Sequence, residues 1–237
     1  MKDTDLFGRA MRDYHTGLGL HKLRVRTQVV DWEDLPVSHF FRTWDDFPEL
    51  EQEAIDRCRG RVLDMGAGAG AHALELQAKG HAVTAVDNSI GAVDVMRSRG
   101  VKTATCANWQ DFKDAYYDTV LLLMNGIGLS GTLQGLAEFT DKWDEWLNPD
   151  GQVLFESTDI AYVYKFPEGS NPLELEPYYG EQTYRMKYDG TEVLFPWLFA
   201  DAKSLQVELQ KLGWSMDILY DDGNGSFLVR SKRLKSL

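Results

Sequence analysis

Residues 61–72 read RVLDMGAGAGAH, and this stretch decides the fold. Arg61-Val62-Leu63-Asp64-Met65 is a short, mostly apolar run that enters a turn carrying Gly66, Gly68 and Gly70. The chain then leaves into a segment of helical spacing, Ala71 to Lys79. Glycines at that spacing let backbone turn sharply and let a ligand approach it closely. Three readings fit such a turn. It cradles a dinucleotide pyrophosphate, it holds an adenosyl group without phosphate, or it is only a tight turn.

Outward from the turn, the rhythm favours a parallel sheet. VLDM (62–65), HAVTAVD (81–87), VKTATC (101–106), DTVLLLM (118–124) and QVLFES (152–157) are strand candidates. Helical stretches at 70–79, 89–99 and 132–147 separate them, the last stopped by Asn148-Pro149-Asp150-Gly151. Short apolar strands alternating with amphipathic helices imply an α/β, doubly wound sheet covered on both faces. After a helix at 201–212, WSMDILYD (214–221) and SFLVRSK (226–232) flank an Asp-Gly-Asn-Gly turn and make a C-terminal antiparallel hairpin. A mostly parallel sheet of seven strands results. YGEQTYRMKYDGTEVLFPWLF (179–199) reads as a further hairpin turned at Asp189-Gly190. Upstream, residues 3–16 predict a helix and RVRTQVV (24–30) a short strand. Phe40, Phe41, Trp44 and Phe47 cluster ahead of a helix from Pro48 through Cys58. The expected organisation is a helical and aromatic cap at 1–59, then an α/β domain at 60–237 with a β-hairpin insertion at about 161–200.

Asp87 ends the second strand of this series, 21 positions after Gly66, where a carboxylate receives both hydroxyls of a ribose. Gly66-Gly68-Ala71 formally satisfies the dinucleotide pattern, so an NAD-linked oxidoreductase stays open at this point. Asp64 argues against it. A carboxylate two residues before the first glycine repels a pyrophosphate but attracts a sulfonium and an α-ammonium.

RVLDMGAGAG resembles motif I of the class I S-adenosylmethionine-dependent methyltransferases, and VTAVDNS (83–89) resembles their motif II. The resemblance covers about residues 60–160 and the terminal helix and hairpin. It implies S-adenosyl-L-methionine as cofactor, with Asp64, Gly66, Ala67 and Gly68 along the methionine portion and Asp87 and Asn88 at the ribose. In Cys106-Ala107-Asn108-Trp109-Gln110-Asp111, Asn108 stands where the family usually has an Asp for the adenine amino group. Trp109 and Asp111 are further adenine candidates. Asn125, in Leu123-Met124-Asn125-Gly126-Ile127-Gly128, falls at the edge that faces the methyl group. That stretch lacks the N/D-P-P-Y pattern of nucleobase and glutamine amino methylation. A non-catalytic adenosyl-binding protein is the remaining alternative.

Methyl transfer is an in-line displacement at an activated carbon, so no dense catalytic constellation is required. His15 and Tyr14 on the N-terminal helix, with Asn125, are the catalytic candidates. Arg42 is a candidate for the methionine carboxylate. Glu156, Ser157, Thr158 and Asp159, with Tyr162, Tyr164, Tyr178, Tyr184 and Trp197, are candidates for the wall of an acceptor pocket. No histidine or cysteine spacing suggests a metal site.

With 25 Lys plus Arg against 37 Asp plus Glu, the formal charge is −12. That balance argues against nucleic acid and against anionic membranes as partners; a small-molecule methyl acceptor, methylated on N or O, is expected, with a protein acceptor left open. The longest apolar run, Val120 to Met124, is far short of a membrane span. Two lone cysteines, Cys58 and Cys106, suit a reducing compartment, and a cytoplasmic protein is expected.

Overall fold

The computed structural model describes residues 5–166 and 176–234. Helix α1 (Leu6–His15) is followed by strands β1 (Lys22–Arg26) and β2 (Glu33–Pro36) and helix α2 (Glu49–Asp56). The alternating series then runs β3 (Arg61–Met65), α3 (Ala71–Ala78), β4 (Ala82–Asp87), α4 (Ile90–Arg99), β5 (Ala104–Cys106) and β6 (Tyr117–Leu122). Helix α5 (Leu136–Trp146) leads into β7 (Leu147–Thr158). The hairpin β8 (Glu181–Tyr188) and β9 (Thr191–Leu198), helix α6 (Ala202–Lys211), and the hairpin β10 (Asp217–Asp221) and β11 (Ser226–Ser231) follow.

Seven strands pair in the order β10-β11-β7-β6-β3-β4-β5. β3 to β7 run parallel, and β11 enters antiparallel beside β7. The central strands do not alternate: Val62 to Met65 and Thr119 to Leu122 are buried throughout, because helices cover both faces. On one face α5 and α6 bring Phe139, Trp143, Leu205 and Leu209 against Val153 and Phe155. On the other, α2, α3 and α4 bring Ile55, Leu76 and Met96 against Val62, Leu121 and Leu154. Both faces being sealed, ligand access falls at the strands' C-terminal edge.

The strand expected at 152–157 begins earlier, at Leu147, and includes the Asn-Pro-Asp-Gly stretch expected only to stop a helix. Tyr117 pairs with Leu147 but Thr119 already pairs with Gln152, so the intervening residues bulge out of the ladder. Pro149 has no N–H to give, which is why pairing skips there. The strand expected over 24–30 stops at Arg26. Thr27 then accepts from the amides of Val29 and Val30 through its hydroxyl and turns the chain.

A second sheet, unforeseen in the sequence, has the order β2-β1-β8-β9 and is antiparallel throughout. β1 from the N-terminal segment pairs directly with β8 of the downstream hairpin. Leu23, Met186 and Tyr188 of this sheet pack on Leu6 and Ala10 of α1. α1 in turn lies hard against α4. A Cβ at Gly91 would fall 2.6 Å from the backbone of Gly8, and Asp5 Oδ2 accepts from the Gly91 amide at 2.8 Å.

Candidate functional site

The glycine turn opens off β3. The amides of Gly66 and Ala67 both donate to Val86 O, at 2.8 and 3.0 Å, which ties the turn to β4. Gly68 and Gly70 have φ of +54° and +80°, the left-handed region that glycine enters without penalty. A Cβ on Gly70 would meet Val101 Cγ2 at 2.8 Å, and one on Gly68 would meet Met11 Cε at 3.3 Å. α1 therefore lies over the turn.

Two acids flank it. Asp87 is buried and accepts from the amides of Gly68 and Ser89, each at 2.9 Å. Burial raises its pKa against the pull of those amides. A carboxylate has about four acceptor positions, so capacity remains beyond the Gly68, Ser89 and Asn88 amides. Asp64 is 2% exposed, and its Oδ2 has no hydrogen-bond partner. Burial pushes its pKa up to about 6, with His72 opposing and the Asp87 charge reinforcing the rise. A buried, unpartnered carboxylate oxygen beside a glycine turn is what a cationic group would satisfy. The residues present thus fit S-adenosylmethionine, whose sulfonium supplies an activated methyl group when bound.

Asn88 and Asn108 stand exposed beside Asp87 at the same edge. The Ala107 amide donates to Asp87 O, and the Asn108 carbonyl accepts from the amides of Asp111 and Phe112. Trp109 turns inward instead and meets Phe139 edge-on at 4.8 Å.

The edge beyond β6 is strained. Met124 and Asn125 are consecutive non-glycine residues with φ of +57° and +54°. Asn125 Nδ2 donates to Leu198 O at 3.0 Å and its Oδ1 accepts from the Thr158 amide at 2.9 Å. Its side chain thus clamps β6, β7 and β9 together. Glu156 Oε2 accepts from the Met124 amide at 2.7 Å. Burial and then the Glu51 charge push the Glu156 pKa up to about 7, opposed by the Met124 and Asn125 amides and by His72.

Glu51, which sequence reasoning missed, is the hub of a buried cluster. Its Oε1 accepts from Arg42 Nη2 and its Oε2 pairs with His72 Nε2, both at 2.8 Å. Burial works against its charge, but the His72 and Arg42 bonds outweigh it and hold the pKa low. Arg42, a candidate for the methionine carboxylate, is occupied by this pair. One acid among several on a short helix carries no local signal of such a role.

The structure brings Asp64, Gly66, Ala67, Gly68, Asp87, Asn88, Asn108 and Asn125 to one edge of the sheet. It sets His15 and Tyr14 apart. His15 Nε2 lies 2.8 Å from Ser98 Oγ in the last turn of α4, while the first turn of that helix lies beside Asp87. At 1.5 Å per residue that is about 12 Å along the helix. Tyr14 packs against Phe41 and His21, at 4.7 and 5.2 Å. Of the candidate acceptor wall, Tyr178 donates to Asp201 at the start of α6, and Asp159 accepts from Tyr179, so both are occupied in holding the insertion. Tyr162 is exposed. Among the described residues no helix is long and apolar enough to cross a membrane, and no three His, Cys, Asp or Glu converge as metal ligands.

Comparison with known proteins bears on this geometry. A family model described as a methyltransferase domain matches residues 62–151, from β3 into β7. A SAM-dependent methyltransferase from Bacteroides fragilis, solved with S-adenosyl-L-homocysteine, is 34% identical. It aligns over 98% of this chain and 95% of its own, with a TM-score of 0.90. The methyltransferase CcbJ from Streptomyces caelestis is 17% identical and shares the fold at a TM-score of 0.59, over 81% of this chain and 95% of that one. DhpI, solved with S-adenosylhomocysteine, is 16% identical with a TM-score of 0.62, over 98% and 100%. No curated protein matches by sequence. The dinucleotide reading falls, and with it the non-catalytic one. A glycine turn between two buried acids, on a sheet shared almost end to end with the Bacteroides fragilis enzyme, places this chain in the S-adenosylmethionine-dependent methyltransferases.

Proposed function

We propose that the enzyme transfers a methyl group from S-adenosylmethionine to N or O of a small-molecule acceptor, bound over the C-terminal ends of β6 and β7 beneath the second sheet. The supporting observation is how that sheet is tied down. Asn125 holds Leu198, and the Trp197 indole packs so closely on the turn after β6 that a Cβ at Gly128 would fall 2.3 Å from it. The acceptor side is thereby bounded by aromatic side chains rather than by the basic groove a phosphate backbone needs. The formal charge of −12 points the same way.

In this reading Asp64, Gly66, Ala67 and Gly68 hold the methionine portion. Asp87 and Asn88 receive the ribose, and Asn108 with the Trp109 backbone meets the adenine. Asn125 shapes the methyl edge through its clamp. Residues 1–59 and the insertion at about 161–200 join through β1 and β8 into one acceptor-side cap on the 60–237 domain. Cys58 and Cys106 are both free thiols, in keeping with a cytoplasmic site of action.

The test is S-adenosylhomocysteine release with panels of small hydroxyl, amine, carboxyl and thiol compounds, against unmodified protein and RNA. Turnover is expected with small molecules. Turnover confined to protein or RNA would overturn the reading.

A further inference from the structure

The inner face of the second sheet carries rings. Tyr184 stacks on Phe195 at 5.6 Å, and Trp197 meets Phe195 edge-on at 5.9 Å. All three are only partly buried. Register adds a carboxylate to this face. Glu33 lies opposite Val25, and Val25 lies opposite the buried Met186. Directly opposed residues share a face, and Tyr184 shares it with Met186 by the two-residue period. Burial and then the Glu33 charge push the Tyr184 pKa up.

Positive charge is directed elsewhere. Arg24 and Arg26 alternate with Val25 and project from the opposite face. On the inner side Arg9 turns its Nη2 to Tyr188 O at 2.9 Å and Thr191 Oγ1 at 3.2 Å. Tyr188 is four positions from Tyr184 along β8, or about 13 Å. Tyr184 is also stacked on Phe199 at 6.1 Å, so the Phe195 and Trp197 rings beside it carry the open aromatic surface, and aromatic surface with a carboxylate on the same face attracts an ammonium. At the sheet edge where this roof is clamped stands a second carboxylate, Glu156, fastened to the Met124 amide.

We propose that the acceptor is an amine held against Tyr184, Phe195 and Trp197, and that Glu156 takes the proton its nitrogen must lose. This rests on the acceptor lying at that edge. An ammonium nitrogen has no lone pair, so its N–H bond breaks first and the proton passes to the Glu156 carboxylate. The freed pair forms the N–C bond to the methyl, and the C–S pair returns to sulfur, leaving S-adenosylhomocysteine. The methylated ammonium departs, and Glu156 gives its proton to water. Among the described residues, the Glu51 charge from α2 raises the basicity of Glu156 and His72 from α3 lowers it. With a pKa of about 7, the carboxylate is matched to an ammonium and far too weak for an alcohol.

The experiment pairs primary aryl-alkyl amines with the alcohols of the same skeleton, 2-phenylethylamine with 2-phenylethanol first. Release of S-adenosylhomocysteine and calorimetric binding to the S-adenosylhomocysteine complex are both measured. The amines bind and turn over, and kcat/KM falls as pH drops through about 7. Glu156→Gln keeps S-adenosylhomocysteine affinity, loses about 10²- to 10⁴-fold in kcat and loses that pH limb, while Glu156→Asp restores part of both. Tyr184→Leu raises the amine KM about 3- to 30-fold with kcat little changed. Alcohols alone turning over would overturn the amine and leave the small-molecule reading standing. Turnover of neither series, with S-adenosylhomocysteine still bound, would overturn both. Lost cofactor affinity in Glu156→Gln would make Glu156 a donor ligand and overturn its role as base.

Discussion

Asp87 and Asp64 stand on adjacent parallel strands, both buried, yet their surroundings are opposite. Asp87 ends its strand beside the turn, where the Gly68 and Ser89 amides meet its two oxygens. Asp64 sits one residue short of the end of β3, with Oδ2 left alone. One carboxylate is a strut that shapes the turn before any ligand arrives. The other is a charge held in reserve, costly until a cation comes. With Asp87 at the ribose and Asp64 at the methionine portion, as we propose, the adenosyl side of the edge is preformed and the methyl side is completed by binding.

The largest break in that contrast comes from Asp87→Ala. It orphans two buried amides at about 1–3 kcal/mol each and removes the charged acceptor proposed for the ribose. Urea unfolding should show a loss of about 2–5 kcal/mol, and calorimetry should show S-adenosylhomocysteine binding collapse. A variant that stays stable and binds normally would remove Asp87 from both roles. Glycines sharpen the same point. Gly70→Ala places a Cβ 2.8 Å from Val101 Cγ2 at φ +80°, whereas a Cβ at Gly80, φ +92°, meets nothing within 4 Å. Both substitutions carry the left-handed penalty of about 1–2 kcal/mol, and Gly70→Ala adds the clash. The stability difference between them should be about 1–2 kcal/mol, and their equality would show that the turn is not tightly packed.

What the sequence carried follows the same division. Strands β3, β4 and β6 are legible because continuous apolar runs between helical stretches have few other solutions, and Asp87 because its spacing from Gly66 is a βαβ distance. The second sheet is not legible. Val25 and Met186 pair across most of the chain, and each strand alone reads as a short alternating segment. Asn125 was legible as an edge residue, but its bonds to Leu198 and Thr158 depend on where β9 and β7 end. Glu51 gains its role only when Arg42 and His72 converge on it.

An effect of similar size tests Asp64 directly through pH. Its folded pKa of about 6 lies above the ordinary value near 4. Between those values the folded chain holds a proton that the unfolded chain has released. Stability from this group is therefore full below pH 4 and is lost as pH rises through 6. Two units correspond to about 3 kcal/mol, of which Asp64→Asn should recover about 1–2 near pH 7, since a buried amide is itself imperfectly satisfied. Near pH 4 the variant should show no gain. Saturating S-adenosylmethionine should reverse the ranking, because a cation beside Asp64 favours the carboxylate and brings its pKa back down. Unfolding midpoints at pH 4 and 7, with and without the donor, make the measurement. A variant that is no more stable than the wild type at pH 7 without donor would mean that Asp64 already has its partner within the protein.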